Sequence, residues 1–122
     1  MKYKKWRGRP KSRGYSKYIS CKGDKLWFFN GKIHRDDGPA IIHSSGYKAW
    51  WNNGKRHRLD GPAIKFTNGA RSWLINGKRH RIDGPAITWP NGTGYWYLDG
   101  VKYTEEEWET ERIKWIIKEQ II

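Results

Sequence analysis

The chain of 122 residues is long enough for one domain, and it contains 25 Lys and Arg against 12 Asp and Glu. Its formal charge of +13 attracts polyanions, so nucleic acid, anionic lipid and an acidic protein surface are the partner classes to weigh. No apolar run reaches the length of a membrane span or a signal-peptide core, and the single cysteine, Cys21, excludes an intramolecular disulfide and fits a reducing cytoplasm.

Residues 1–16 contain several basic residues and no acidic one, so we expect a retained, disordered arm. Within this arm, KKWRGRPKSR resembles an AT-hook, whose core is a Gly-Arg-Pro tripeptide flanked by basic residues. The resemblance implies that two arginines run outward along a narrow A·T minor groove while the glycine lets the backbone sit deep. The nucleic-acid-binding residues predicted in the arm are Lys4, Lys5, Arg7, Gly8, Arg9, Pro10, Lys11 and Arg13.

A 23-residue repeat occupies residues 17–103. Trp27, Trp50, Trp73 and Trp96 keep this spacing, as do the dipeptides that begin at Asn30, Asn53, Asn76 and Asp99. Three loops share nearly one sequence: NGKIHRDDGPAI, NGKRHRLDGPAI and NGKRHRIDGPAI. A constant period of this length indicates a repeat architecture in which neighbouring units bury a continuous core.

Each unit is predicted to form two short strands, one centred on the Trp and one following the Pro. The segments SSG, TNG and PNG close a hairpin between these strands, because Gly or Asn supplies a positive φ. The longer NGKxHRxDGP segment links the Trp strand to the Pro strand. The fold class expected is therefore mainly β, a single-layer antiparallel meander of β-hairpin repeats with a C-terminal helical cap.

The repeat resembles MORN repeats in its 23-residue period, in its Gly-Lys-x-His core and in the Trp that lies between glycines. The resemblance covers about residues 17–103 and implies an elongated β-meander scaffold without catalysis. MORN repeats usually have Gly after the His, whereas this chain has Arg35, Arg58 and Arg81 and adds DGPA. It looks closer to a divergent type seen in small phage and bacterial proteins.

Residues 104–122 are predicted to form a capping helix. Thr104 and Glu107 make a capping box, and acidic residues favour the positive end of the helix dipole. An apolar side that contains Trp108 and Trp115 is expected to cover the end of the sheet and part of one sheet face. Which face it covers is not determined by the sequence.

The HRxDG loop invites a catalytic interpretation, since His, Arg and Asp together suggest acid–base or phosphodiester chemistry. The favoured interpretation is an internal turn, in which the Asp accepts hydrogen bonds and the Arg pairs with it. Equivalent histidines in successive units lie about 10 Å apart by the strand spacing, too far to share one ion. We therefore predict no catalytic residue, no metal site and no cofactor.

A row of cations recurs along one edge of the sheet, and a solvated edge explains it equally well when the edge is taken alone. Together with the basic arm, the row favours binding to nucleic acid, with DNA slightly favoured over RNA, without enzymatic activity. The nucleic-acid-binding residues predicted in the repeats are Lys32, Arg35, Lys55, Arg56, Arg58, Lys78, Arg79 and Arg81. Trp51 and Tyr97 either stack on bases beside this edge or lie under the helix. The alternative function is a protein-interaction or inhibitor module, of phage type, that docks on an acidic host protein.

Overall fold

A computed structural model describes residues 3–5 and 14–120 of the chain, and these residues form a mainly β molecule with a C-terminal helix. The strands in chain order are β1 (Tyr3–Lys5), β2 (Tyr15–Ser20), β3 (Lys25–Phe29), β4 (Lys32–Ile33), β5 (Ile41–Ile42), β6 (Lys48–Ala49), β7 (Trp51–Asn52), β8 (Lys55–Arg56), β9 (Ile64–Lys65), β10 (Arg71–Ser72), β11 (Leu74–Ile75), β12 (Lys78–Arg79), β13 (Ile87–Thr88), β14 (Gly94–Leu98) and β15 (Val101–Tyr103). The helix α1 spans Glu105–Gln120.

The main sheet follows the order β1-β2-β3-β5-β6-β9-β10-β13-β14-β15, with every neighbouring pair antiparallel and β4 beside β3. Sequential Trp and Pro strands alternate across this sheet, as they do in a meander. The predicted fold class is confirmed.

The link between the Trp and Pro strands contains a second hairpin that the sequence analysis did not predict. In the middle repeat, β7 pairs with β8 across Asn53 and Gly54, whose φ angles are 48° and 81°. Two successive positive φ angles are what a two-residue I′ hairpin turn requires, and Asn followed by Gly adopts them at low cost. The NGK segment therefore forms a two-stranded hairpin in each repeat.

The N-terminal boundary differs from the disordered arm expected over residues 1–16. Strand β2 begins at Tyr15, and β1 pairs with it so that Lys4 lies opposite Ile19. The outer edge of β2 presents unpaired backbone groups, and pairing with β1 satisfies them. The AT-hook-like residues Arg7, Gly8, Arg9 and Pro10, together with Lys11 and Arg13, fall outside the described residues.

The core is thin and rests on small side chains. Ala40, Ala63 and Ala86 of the DGPA segments are completely buried. The backbone of Ala63 bonds to the strands on both sides, since its N–H donates to the Ser72 carbonyl at 2.8 Å and its carbonyl accepts from Trp50 at 2.7 Å. Alanine fits here because a larger side chain would separate the repeats.

Helix α1 covers the C-terminal end of the sheet on the side of Trp96. The capping box is confirmed, because the Glu107 N–H donates to Thr104 Oγ1 at 3.2 Å and the Thr104 N–H donates to Glu107 Oε1 at 3.4 Å. Trp108 is 3% exposed, its ring centroid lies 4.5 Å from that of Trp96, and its Nε1–H donates to the Arg81 carbonyl at 2.9 Å. The capping role expected of this helix follows from these contacts.

Candidate nucleic-acid interface

Each HRxDG loop holds its arginine inside its own repeat. In the middle repeat, the Arg58 guanidinium lies 4.0 Å from the centre of the Trp50 ring. Its Nε donates to Asp60 Oδ1 at 3.0 Å, and its Nη1 donates to the Pro62 carbonyl at 3.1 Å. The hydrogen bond from Arg58, followed by the charge of Arg58, lowers the pKa of the Asp60 carboxyl. The flanking repeats make the same contacts through Arg35 on Trp27 and Arg81 on Trp73.

The glycine of the DGP segment leaves room for this arginine. A Cβ placed on Gly61 would lie 2.9 Å from Arg58 Cζ, closer than real Cβ contacts. The guanidinium is therefore enclosed between an indole ring and a glycine backbone, which explains the residue type at both positions. The internal-turn interpretation of the loop agrees with this geometry.

The predicted binding residues Arg35, Arg58 and Arg81 are therefore not available to a partner in the way that exposed cations are. Their side chains are 20–23% exposed, and each is paired with an aspartate of its own loop. A phosphate would have to compete with that aspartate for the guanidinium. These three arginines are positioned to stabilise the repeats.

The repeat histidines connect neighbouring units. His57 Nδ1 accepts a hydrogen bond of 2.9 Å from the Asn76 N–H, and His34 and His80 accept equivalent bonds from Asn53 and Asp99. A nitrogen that accepts this bond carries no proton, so the bond requires an Nδ1-unprotonated imidazole. The position of each histidine suits a structural role between repeats.

Stability should fall as His80 becomes protonated. Burial lowers the pKa of His80 from its ordinary 6.5, and Trp115 covers the ring at a centroid distance of 5.0 Å. Because the unfolded chain binds the proton first, the contribution of His80 is complete above pH 6.5 and is lost as the pH falls toward the lower folded-state pKa.

We expect urea unfolding to show this loss as a decrease in the free energy of unfolding on acidification, and His80→Gln should reduce that decrease. Leu59→Ala changes an exposed apolar side chain that does not titrate and should leave the pH dependence in place. An unchanged pH profile in His80→Gln would contradict the assignment.

Five exposed cations lie on the NGK hairpins, and we call them the cation row: Lys32, Lys55, Arg56, Lys78 and Arg79. Successive hairpins are joined by backbone bonds, since the Gly54 N–H donates to Ile33 and the Gly77 N–H donates to Arg56, at 2.8 and 2.7 Å. The aliphatic part of Lys32 comes within 3.7 Å of the Cβ position of Gly54. The stacked hairpins therefore carry the cations in register.

Little negative charge balances the cation row. Across the described part of the chain, its contact with a carboxylate is that of Lys78 Nζ with Asp99 at 3.8 Å, and both side chains are more than half exposed. Arg56 and Arg79 instead lie over aromatic rings, 5.1 Å from the centre of Trp51 and 5.5 Å from the centre of Tyr97. The charges of the row are free to act on a polyanion.

A groove of about 680 Å³ runs beside the cation row. One wall consists of Tyr47, Phe66 and Trp89, and the other consists of Arg56, Lys78, Arg79 and Tyr97. The floor is made by Ile64, Ala70, Ser72, Leu74 and Ile87. Strand register places Ala49, Ile64, Ser72 and Ile87 on one face of the sheet.

Sequence reasoning predicted the cation row together with Arg35, Arg58 and Arg81, and it missed the groove. One signal in the sequence could have indicated the groove. A single repeat position holds His43, Phe66 and Trp89, so that its ring becomes larger and more apolar toward the C-terminus. Tyr97 lines the groove, whereas the neighbouring Trp96 contacts Trp108 of the helix, and successive strand residues point to opposite faces. Trp51 packs against the buried cluster of Ala49, Ala63, Ile64 and Leu74, and among the described side chains its buried Nε1–H has no acceptor.

Comparison with protein families, curated proteins and solved structures finds no match to this chain. The resemblance to MORN repeats therefore stays a prediction. Within the described ranges, no group of three or more His, Cys, Asp and Glu is placed to hold a metal ion. No described helix is long and apolar enough to cross a membrane.

Proposed function

We propose that the protein binds nucleic acid without enzymatic activity and that the cation row contacts the phosphates. The observation that carries this proposal is the contrast between two sets of cations in the same repeats. Arg58 is neutralised by Asp60 in its own loop, whereas Lys55 and Arg56 are exposed and form no ion pair with a described residue. Among the described residues of the cation row, only Lys78 approaches a carboxylate, so the row supplies exposed positive charge that a phosphate can contact.

The spacing of the cation row suits a phosphate backbone. Equivalent residues of successive repeats are two strands apart, roughly 10 Å, and the phosphates of one duplex strand advance about 3.4 Å along the helix axis. Each repeat therefore matches roughly three phosphate steps. The hairpins can follow a backbone over several contacts, and the net charge of +13 attracts it from a distance.

Direct titration tests this function. Labelled DNA duplex, DNA single strand and RNA are each titrated with the full chain at low salt, and tight binding of at least one of them is expected. Absence of binding to all three at about 50 mM salt would end the proposal, because electrostatic affinity is strongest there. Stable capture of an acidic protein by a chain that fails this titration would assign the cation row to the interaction-module alternative.

The basic N-terminal segment is expected to add duplex preference. By its resemblance to an AT-hook, Arg7→Ala with Arg9→Ala should remove any preference for A·T-rich over G·C-rich duplex while general binding by the cation row remains. Competition between the two duplexes measures this preference. Lys22→Ala with Lys48→Ala removes the same charge elsewhere and should leave the preference unchanged.

A further inference from the structure

The groove beside the cation row combines flat rings with a shallow, apolar floor. Phe66 is 39% exposed, and its ring lies 5.9 Å from that of Tyr47 in an edge-to-face arrangement. Trp89 extends the same wall and packs edge-on against Tyr95 at 4.9 Å. Exposed aromatic surface of this kind is costly in water, and a stacked ring would cover it.

Small residues occupy the floor of the groove next to these aromatic rings. Ser72 occupies the repeat position that holds Leu26 and Tyr95 in the first and last units. Ala70 likewise stands where Tyr47 stands one repeat earlier. With a hydroxymethyl and a methyl group in place of larger side chains, these two positions add little bulk between the walls, and both residues lie buried at the bottom of the groove.

The opposite wall carries three members of the cation row. Arg56, Lys78 and Arg79 line the groove directly, beside the ring of Tyr97. A ligand that fills the groove is therefore in contact with aromatic rings on one side and with positive charge on the other. An unpaired nucleotide has both complementary parts, a flat base and an anionic phosphate.

We propose that this groove receives the unpaired bases of a single-stranded nucleic acid while the cation row holds its phosphates; this rests on the proposed function and names its ligand. Bases inside a duplex are stacked and paired, so their faces are not available to Phe66 or Trp89. An acidic peptide would satisfy the cations but presents no regular series of flat rings. The groove thus favours a single strand over a duplex.

Removal of one ring tests the groove. Phe66→Ala and Trp89→Ala should each weaken single-strand binding roughly 5- to 150-fold, the effect of losing one base–aromatic stack, and leave binding to a blunt duplex of the same sequence unchanged. Phe66→Tyr keeps a ring and should retain most of the affinity. Leu59→Ala is the matched control, since Leu59 is apolar and 81% exposed but lies outside the groove.

The outcomes separate this inference from the proposed function. If the intact chain binds nucleic acid but both ring variants bind single strands normally, or lose single-strand and duplex affinity equally while folded, the groove is not a base-binding site and the proposed function stands. If the intact chain binds no nucleic acid, both fail. A polyglutamate peptide that binds the intact chain tightly and Phe66→Ala weakly would overturn the inference in favour of an acidic protein segment.

Discussion

Replacing Lys32, Lys55 and Lys78 with alanine should flatten the salt dependence of nucleic-acid binding. With about six phosphate contacts on duplex DNA, affinity is expected to fall roughly 10³-fold between 50 and 200 mM salt because bound phosphates release counterions. Each lost contact lowers the slope by about 0.9, so the triple variant should lose only about 40-fold over the same range. Titrations at several salt concentrations measure both slopes.

The control is a variant with the same loss of charge elsewhere. Lys22, Lys48 and Lys114 are exposed but lie outside the NGK hairpins, and their replacement by alanine should leave the slope close to that of the original chain. Equal flattening in both variants would show that net charge, not the position of the cation row, governs binding. A slope unchanged in both variants would remove these lysines from the interface.

Trp108→Ala should destabilise the protein by about 3–5 kcal/mol, the cost typical of removing a buried Trp. The side chain is 3% exposed, stacks near Trp96, and donates to the Arg81 carbonyl, which would lose that partner. Trp96 lacks the arginine that covers Trp27, Trp50 and Trp73 in earlier repeats, because Thr104, which caps the helix, occupies that position. Trp108 takes the place of that arginine, and its loss exposes the last repeat.

Urea unfolding followed by far-UV circular dichroism and by tryptophan fluorescence measures this effect. Ile113→Ala in the same helix is the control, since Ile113 is 51% exposed and its replacement should cost about 0.5 kcal/mol or less. If Trp108→Ala loses helical signal while the sheet unfolds at the original urea concentration, α1 is not part of the cooperative unit. That outcome would contradict the capping role.

The sequence alone determined the repeat, its strands and the helix. The 23-residue period, the positions of Trp and Pro and the glycines in the turns are all local signals. A local signal that repeats predicts the strands without knowledge of which repeats are in contact. The capping box of Thr104 and Glu107 is equally local and is present as predicted. The sequence analysis places Asn-Gly in a long link and misses this hairpin, whose strands are only two residues long.

Only the tertiary structure separated the structural cations from the exposed ones. Lys55, Arg56 and Arg58 are close together in the sequence, and the repeat pattern predicts the same exposed position for all three. Arg58 is enclosed because Trp50, Asp60 and the Pro62 carbonyl converge on it when the loop closes. Lys55 and Arg56 are exposed because they lie on the NGK hairpin, outside the loop that encloses Arg58.

The groove was likewise decided by tertiary structure. Phe66 and Trp89 come from the Pro-strand side of their repeats, whereas Arg79 and Tyr97 come from the NGK hairpin and the last Trp strand. The distance between these two walls depends on strand register. The room between them depends on which repeats carry small residues such as Ser72. The sequence pattern contains the spacing of residues along the chain. The depth of the groove depends on side chains from seven strands, β8 to β14, that meet only after folding.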